Sequence, residues 1–200
     1  TISSLMGIAG AEAETVHYSL AQNQVTQTDS HGLVTVQSFN NRGMLSGFTR
    51  QQGGEVESSS FQHNAFGQVL AAVDPLSNVS TRQYDGAGRL LLATGPDPDG
   101  AGPLTPQTAA YTYTTFGDIH TQTDALGRIY TNLFDEHFRV IGQVDPNNET
   151  THFRLDLGGN LVQLQDPVGN ITRFQYDALD RRTTERITLD AVDYYRTTDY

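Results

Sequence analysis

Two hundred residues with 12 basic and 23 acidic side chains carry a formal charge of −11; every basic residue is Arg, and Cys is absent. So acidic a chain, without basic clusters, is a poor binder of nucleic acid or anionic membranes, and without Cys it has neither disulfides nor thiolate metal sites. No apolar run approaches the roughly 18 residues of a membrane span, while 24 Thr and 18 Tyr and Phe favour strands over helices.

In chain order, residues 1–17 read as a partial unit. Thr1–Gly10 lacks the charged start of a secretory signal, and Ile2–Ala13 holds the one weak helical stripe. Tyr18 then opens an array that runs over residues 18–200. Asp29-Ser-His-Gly32 precedes Phe39-Asn40 by ten residues. Gln51-Gln-Gly-Gly54 expands the next unit, so His63 arrives 24 residues after Phe39. Asp74-Pro75 leads by ten to Tyr84-Asp85-Gly-Ala-Gly88-Arg89-Leu90. A Pro/Gly-rich insertion at 94–108, whose composition forbids a strand, delays Tyr113 to 29 residues after Tyr84. From there the period is regular. Asp124, Asp145-Pro146 and Asp166-Pro167 lead by ten to Phe134, Leu155 and Tyr176, each anchor 21 residues after the last. Asp190 to Tyr200 is again ten, inside a further unit.

Each unit carries two turn signals. In Asp-Pro-x-Gly the Asp can bond its own backbone two residues on, Pro presets the next position, and Gly accepts the fourth, as a type I turn prefers. Tyr-Asp-x-x-Gly-Arg-Leu repeats the arrangement, and four-residue hairpin connections are commonly built around such turns. Strands of five to six residues fit between the turns. In Ile171–Tyr176 the residues Ile171, Arg173 and Gln175 share one face and Thr172, Phe174 and Tyr176 the other. In Asn160–Gln165, Val162 and Leu164 share a face and Leu161 opposes them. The expected fold class is all-β, a continuous meander of antiparallel β-hairpin repeats. The anchors Tyr18, Phe39, His63, Tyr84, Tyr113, Phe134, Leu155 and Tyr176 should form a ladder across adjacent units.

Chemistry-bearing residues each have a plainer reading. Asp29, Asp74, Asp124, Asp145 and Asp166 could supply paired carboxylates for acid–base work, but all five occupy equivalent turn positions, so turn chemistry accounts for the set. The six His are scattered, with no close ligand pair. Asp97-Pro-Asp99-Gly100 lacks the further oxygen ligands of a calcium loop. Asn78-Val-Ser80, Asn148-Glu-Thr150 and Asn170-Ile-Thr172 match the glycan acceptor pattern yet fall in the repeat's own turn. Arg89, Arg139 and Arg181 could pair with turn Asp residues. No catalytic, cofactor or metal residue is assigned.

The phased motifs, best seen at Tyr84–Leu90, Asp166–Arg173 and Tyr176-Asp177-Ala-Leu-Asp180-Arg181, resemble the YD repeats of RHS (rearrangement hotspot) proteins. Phe138 and Asp180 stand where that pattern has Gly. The resemblance covers Tyr18 to Tyr200 and implies a spiralling sheet of hairpins, a segment of a hollow shell that in toxin-complex and polymorphic-toxin members encloses a toxic C-terminal segment. It also implies a secreted or cell-surface location. A specialised core that in the family cleaves the chain at Asp-Pro-x-Gly is not recognisable. The array is expected to continue, or its free edges to pair with another chain.

Three functions follow. The first is a non-catalytic shell segment that encapsulates or scaffolds a toxin or effector. The second is an adhesion module binding a glycan or protein through the aromatic ladder or the 94–108 loop. The third is a β-propeller hydrolase, since two units give 42 residues, about one four-stranded blade.

Overall fold

The computed structural model describes residues 15–100, 102–189 and 192–198. The helical hint at Ile2–Ala13 and the last unit's Asp190 and Tyr200 lie outside them. Seventeen strands are present, and no helix occurs among the described residues. They fall in two units, 1–108 and 109–200.

The first unit holds β1 (Thr15–Ser19), β2 (Gln24–Thr28), β3 (Val34–Phe39), β4 (Leu45–Gln52), β5 (Glu55–His63), β6 (Val69–Val73), β7 (Val79–Tyr84) and β8 (Leu90–Thr94). Each pairs antiparallel with the next. The second unit holds β9 (Thr108–Tyr113), β10 (Ile119–Thr123), β11 (Ile129–Phe134), β12 (Val140–Val144), β13 (Thr150–Leu155), β14 (Leu161–Gln165), β15 (Ile171–Tyr176), β16 (Arg182–Leu189) and β17 (Val192–Thr197), paired in the same way. The meander runs through eight and nine strands without dividing into four-stranded blades, which removes the propeller.

The expansion near Gln51–Gly54 goes into the strands rather than the loop. β4 and β5 are eight and nine residues long, joined by Gly53-Gly54 with φ of 60° and 92°. Two successive positive φ values suit the type I′ hairpin whose twist matches its strands. The 94–108 insertion closes at its base, where Gly95 N–H donates to Gln107 O at 2.7 Å.

Every anchor from Phe39 onward stands beside a break in register. Ser38 pairs with Gly47 but Phe39 with Leu45, and the same shift recurs at His63, Tyr84, Tyr113, Phe134, Leu155 and Tyr176. One extra residue therefore enters the following strand in each of these hairpins. Such bulges bend the strand and raise its twist. The bulge also overturns one expectation. Leu161 pairs with Leu155 and Leu164 with Phe153, so Leu161 and Leu164 share a face, because the extra residue between them resets the two-residue alternation.

Cross-strand partners share a face, and the registers sort the aromatics accordingly. In the first unit Tyr18, Phe39, Phe48, Phe61 and Tyr84 all lie on one face. In the second, Tyr111, Tyr113, Tyr130, Phe134, Phe153, Phe174, Tyr176 and Tyr194 share a face, and Tyr195 alone takes the other. No large side chain is fully buried among the described residues. Each unit is thus a single layer whose side chains shield one another laterally, and among the described residues only Gly47 and Gly142 are buried.

Candidate functional site

The turns are where the sequence concentrates its polar chemistry, and they share one geometry. Asp85 is representative. Its N–H donates to Arg89 O at 2.9 Å, and Gly88 N–H donates back to Asp85 O at 3.0 Å. Asp85 Oδ1 accepts from Ala87 N–H and Arg89 N–H, both at 2.9 Å. Three residues thus lie between the paired ends, not four. This is a type I turn followed by a left-handed residue, so the fourth position must take a positive φ. Gly fills it in most units. Ser77 (66°), Phe138 (60°), Asn148 (64°) and Asp180 (58°) adopt the same conformation without being Gly.

The five Asp residues singled out from sequence all accept backbone N–H groups in these turns. Asp29 Oδ1 accepts from His31 and Leu33, and Asp74 Oδ1 from Leu76 and Asn78, each at 2.9 Å. Asp124 accepts from Leu126 and Arg128, Asp145 from Asn147 and Glu149, and Asp166 from Asn170. Asn40, Asn64 and Thr114 perform the same task in the alternate turns. The second carboxylate oxygen is committed as well: Asp74 and Asp166 hold the amides of Asn78 and Asn170 at 2.8 and 2.7 Å. Arg89, Arg139 and Arg181 bind Asp85, Asp135 and Asp177 through Nε and Nη2 at 2.6–2.8 Å. Arg128 does the same to Asp124, a pair the sequence reading missed.

These bonds depress carboxyl pKa values. Asp85, Asp135, Asp156 and Asp177 are lowered chiefly by the backbone N–H four residues on. Asp74 is lowered chiefly by the Asn78 amide, and Asp124 chiefly by the Arg128 guanidinium. Among the described residues, no three His, Asp or Glu side chains come together as a metal site.

The two turn edges differ. On the edge next to the anchors, successive turns touch. Arg42 Nη1 donates to Ala65 O at 2.9 Å, and Gln68 Nε2 to Gly88 O at 2.6 Å. In the second unit Phe116 packs on Phe138 with centroids 3.7 Å apart, Arg139 Nη1 donates to Asp156 O at 3.0 Å, and Asn160 Nδ2 to Asp180 Oδ1 at 2.8 Å. On the opposite edge of the second unit, no described side chain joins the Asp124, Asp145 and Asp166 turns.

The anchors lie one residue before these linked turns. All are half-buried except Tyr18, which is 55% exposed. Tyr84 OH donates to Val69 O at 3.1 Å and Tyr176 OH to Leu161 O at 3.0 Å, each reaching back to the preceding hairpin. His63 keeps a buried Nδ1 without a hydrogen bond.

One feature is absent from any linear reading. On the face opposite the aromatics in the second unit, register aligns Arg154, Gln163, Arg173, Arg186 and Tyr195 in one row across β13 to β17. Three arginines spaced 19 and 13 residues apart in sequence become neighbours. Only the strand registers could reveal this cluster.

The family profile described as RHS Repeat matches residues 63–101 and 159–190. No curated protein matches the chain. Among solved structures, TcdB2-TccC3 is 13% identical with a TM-score of 0.68, over 90% of this chain and 11% of that one. TcdB2-TccC3-Cdc42 is 14% identical with a TM-score of 0.67, over 90% and 10%. The Photorhabdus luminescens Tc holotoxin pore carrying TccC3-D651A is 13% identical with a TM-score of 0.53, over 92% and 14%. The chain therefore spans about a tenth of the length of these structures and shares their fold. The phased turns and bulged hairpins thus carry RHS repeats at residues 63–101 and 159–190.

Proposed function

We propose that this chain is a non-catalytic wall segment of an RHS-type shell that encapsulates or scaffolds a toxin or effector, in a protein that is secreted or displayed at the cell surface. The observation that carries this reading is the uniform single layer: hairpins stacked side by side, linked turn to turn along one edge, with no large side chain fully buried among the described residues. A layer of this kind is stabilised by neighbouring repeats, as a wall requires. In this reading the anchors Tyr18, Phe39, His63, Tyr84, Tyr113, Phe134, Leu155 and Tyr176 hold adjacent hairpins together. Asp29, Asp74, Asp124, Asp145 and Asp166 shape turns rather than act on a substrate. Residues 18–200 form one array with the 94–108 loop as an insertion, and its partners are further repeats or another chain at the sheet edges. The test is protease protection in the full-length parent protein. A cargo segment should resist digestion while the wall is intact and become sensitive once the wall is unfolded. Digestion of the cargo at the rate of the isolated segment would remove enclosure.

A further inference from the structure

The arginine row on the non-aromatic face of the second unit has an unusual charge balance. Arg173 and Arg186 are direct cross-strand partners, and like charges in that relation destabilise a sheet. One carboxylate serves the pair. Arg186 Nη2 meets Asp193 Oδ2 at 2.7 Å, and Thr188 Oγ1 donates to Asp193 Oδ1 at 2.7 Å. Arg186 Nε is buried without a hydrogen-bond partner, while the guanidinium lies 5.8 Å from the Tyr195 ring. Arg173 makes no hydrogen bond or ion pair and feels Asp193 only through space. Arg154, two strands away across Gln163, is exposed and likewise makes neither. The row therefore presents three guanidinium groups against one carboxylate, in a chain of net charge −11.

We infer that this row is a docking surface for an acidic, extended polypeptide segment lying across β13 to β16. Three observations select that occupant. Arg154 and Arg173 stand two strands apart, roughly 10 Å at the usual strand spacing. That exceeds the span of a single phosphate or sulfate, whereas carboxylates two residues apart on one face of an extended chain stand about 7 Å apart, a difference the long Arg and Glu side chains bridge. Besides His152, Ile171 and Thr188, whose hydroxyl Asp193 holds, the surface beside the arginines carries two neutral amides, Gln163 in the row and Gln165 in the adjacent one. These can serve a peptide backbone and offer a sulfated or phosphorylated polymer much less. The acidity of the rest of the chain opposes a long polyanion, whereas a short segment sees chiefly the local row, since salt screens charges beyond roughly 8–10 Å. Guanidinium forks bind carboxylates in two-pronged fashion, so the arginines set both affinity and register.

The experiment uses the full chain and a fluorescein-labelled peptide of alternating Glu and Ser, followed by anisotropy at low and moderate salt. Binding should weaken as salt rises. R154Q and R173Q should each lower affinity about tenfold, as loss of one member of a close charge pair does. R50Q, which removes the same charge from the first unit, should leave affinity unchanged. Far-UV circular dichroism verifies the fold of each variant, and shifts of the Gln163 side-chain amide on titration report contact directly. No binding at low salt would overturn the proposal. So would equal losses from R50Q and R173Q, which would mean a global charge effect. Equal or tighter binding of a heparin-derived oligosaccharide, or competition by inorganic phosphate alone, would assign the row to another anion and overturn it too.

Discussion

The left-handed turn position shows how single residues are held against their own preference. A non-Gly residue in that region costs roughly 1–2 kcal/mol, while Gly there loses about 0.5–1 kcal/mol more backbone entropy on folding. Ser77 is exposed, and its hydroxyl makes no hydrogen bond, so nothing offsets its φ of 66°. Ser77→Gly should therefore raise stability by about 0.5–1 kcal/mol, read as an upward shift in the urea midpoint. Phe138 behaves oppositely. Its ring lies on Phe116, and such a pair contributes about 0.5–1.5 kcal/mol beyond the area it covers. Phe138→Gly should consequently destabilise despite relieving the backbone, and a gain equal to that of Ser77→Gly would refute this account. The departure from Gly at Phe138 was visible in the sequence; its compensation was not, because Phe116 lies in the preceding hairpin.

At the scale of the hairpin, the anchor and the bulge act together. The hydroxyl of Tyr176 closes on Leu161 O, the carbonyl of the residue paired with the previous anchor. Tyr176→Phe should cost about 1 kcal/mol, measurable by chemical denaturation. Phe134, which occupies the equivalent place with no hydroxyl, should tolerate the change to Tyr with little loss. The strand after the bulge is also closely approached at Gly142, where an added Cβ would lie 2.9 Å from Thr151 O and 3.3 Å from Leu133 Cδ1. Gly142→Ala should destabilise by about 1–3 kcal/mol through overpacking against backbone that cannot yield. An unchanged unfolding midpoint would mean that the strands part there freely. The hairpins and their phase were legible from Asp-Pro and Tyr-Asp spacing. The bulges were not, since an extra residue leaves the 21-residue period intact and shows only in which partner each residue faces.

At the scale of the whole molecule, stability among the described residues rests on many small, similar contributions rather than on a core. The turn carboxylates make one consequence measurable. Asp85, Asp124, Asp135, Asp156 and Asp177 have folded pKa values below their ordinary 3.8. Their contribution is fully present above the unfolded value and is lost as pH falls through the folded ones. The melting temperature should therefore depend little on these groups between about pH 7 and 5 and fall progressively below about pH 4. Asn accepts the same backbone bonds at positions 40 and 64. A chain carrying Asp85→Asn, Asp135→Asn and Asp177→Asn should thus show a shallower acid decline. An equally steep decline would place the acid sensitivity elsewhere.

Turn chemistry and two-residue alternation are local, so the sequence by itself determined the all-β class and the hairpin period. It also exposed the ion pairs of Arg89, Arg139 and Arg181, because both partners lie within one turn. What joins residues of different hairpins was decided only in three dimensions. The bulge resets the faces, which gathers the aromatics on one side and puts Leu161 beside Leu164. The turn-to-turn links and the Arg154–Arg173–Arg186 row depend on strand register over separations of 13 to 23 residues. Register is set by all the hairpins together, and no window of sequence short enough to scan for a motif contains it.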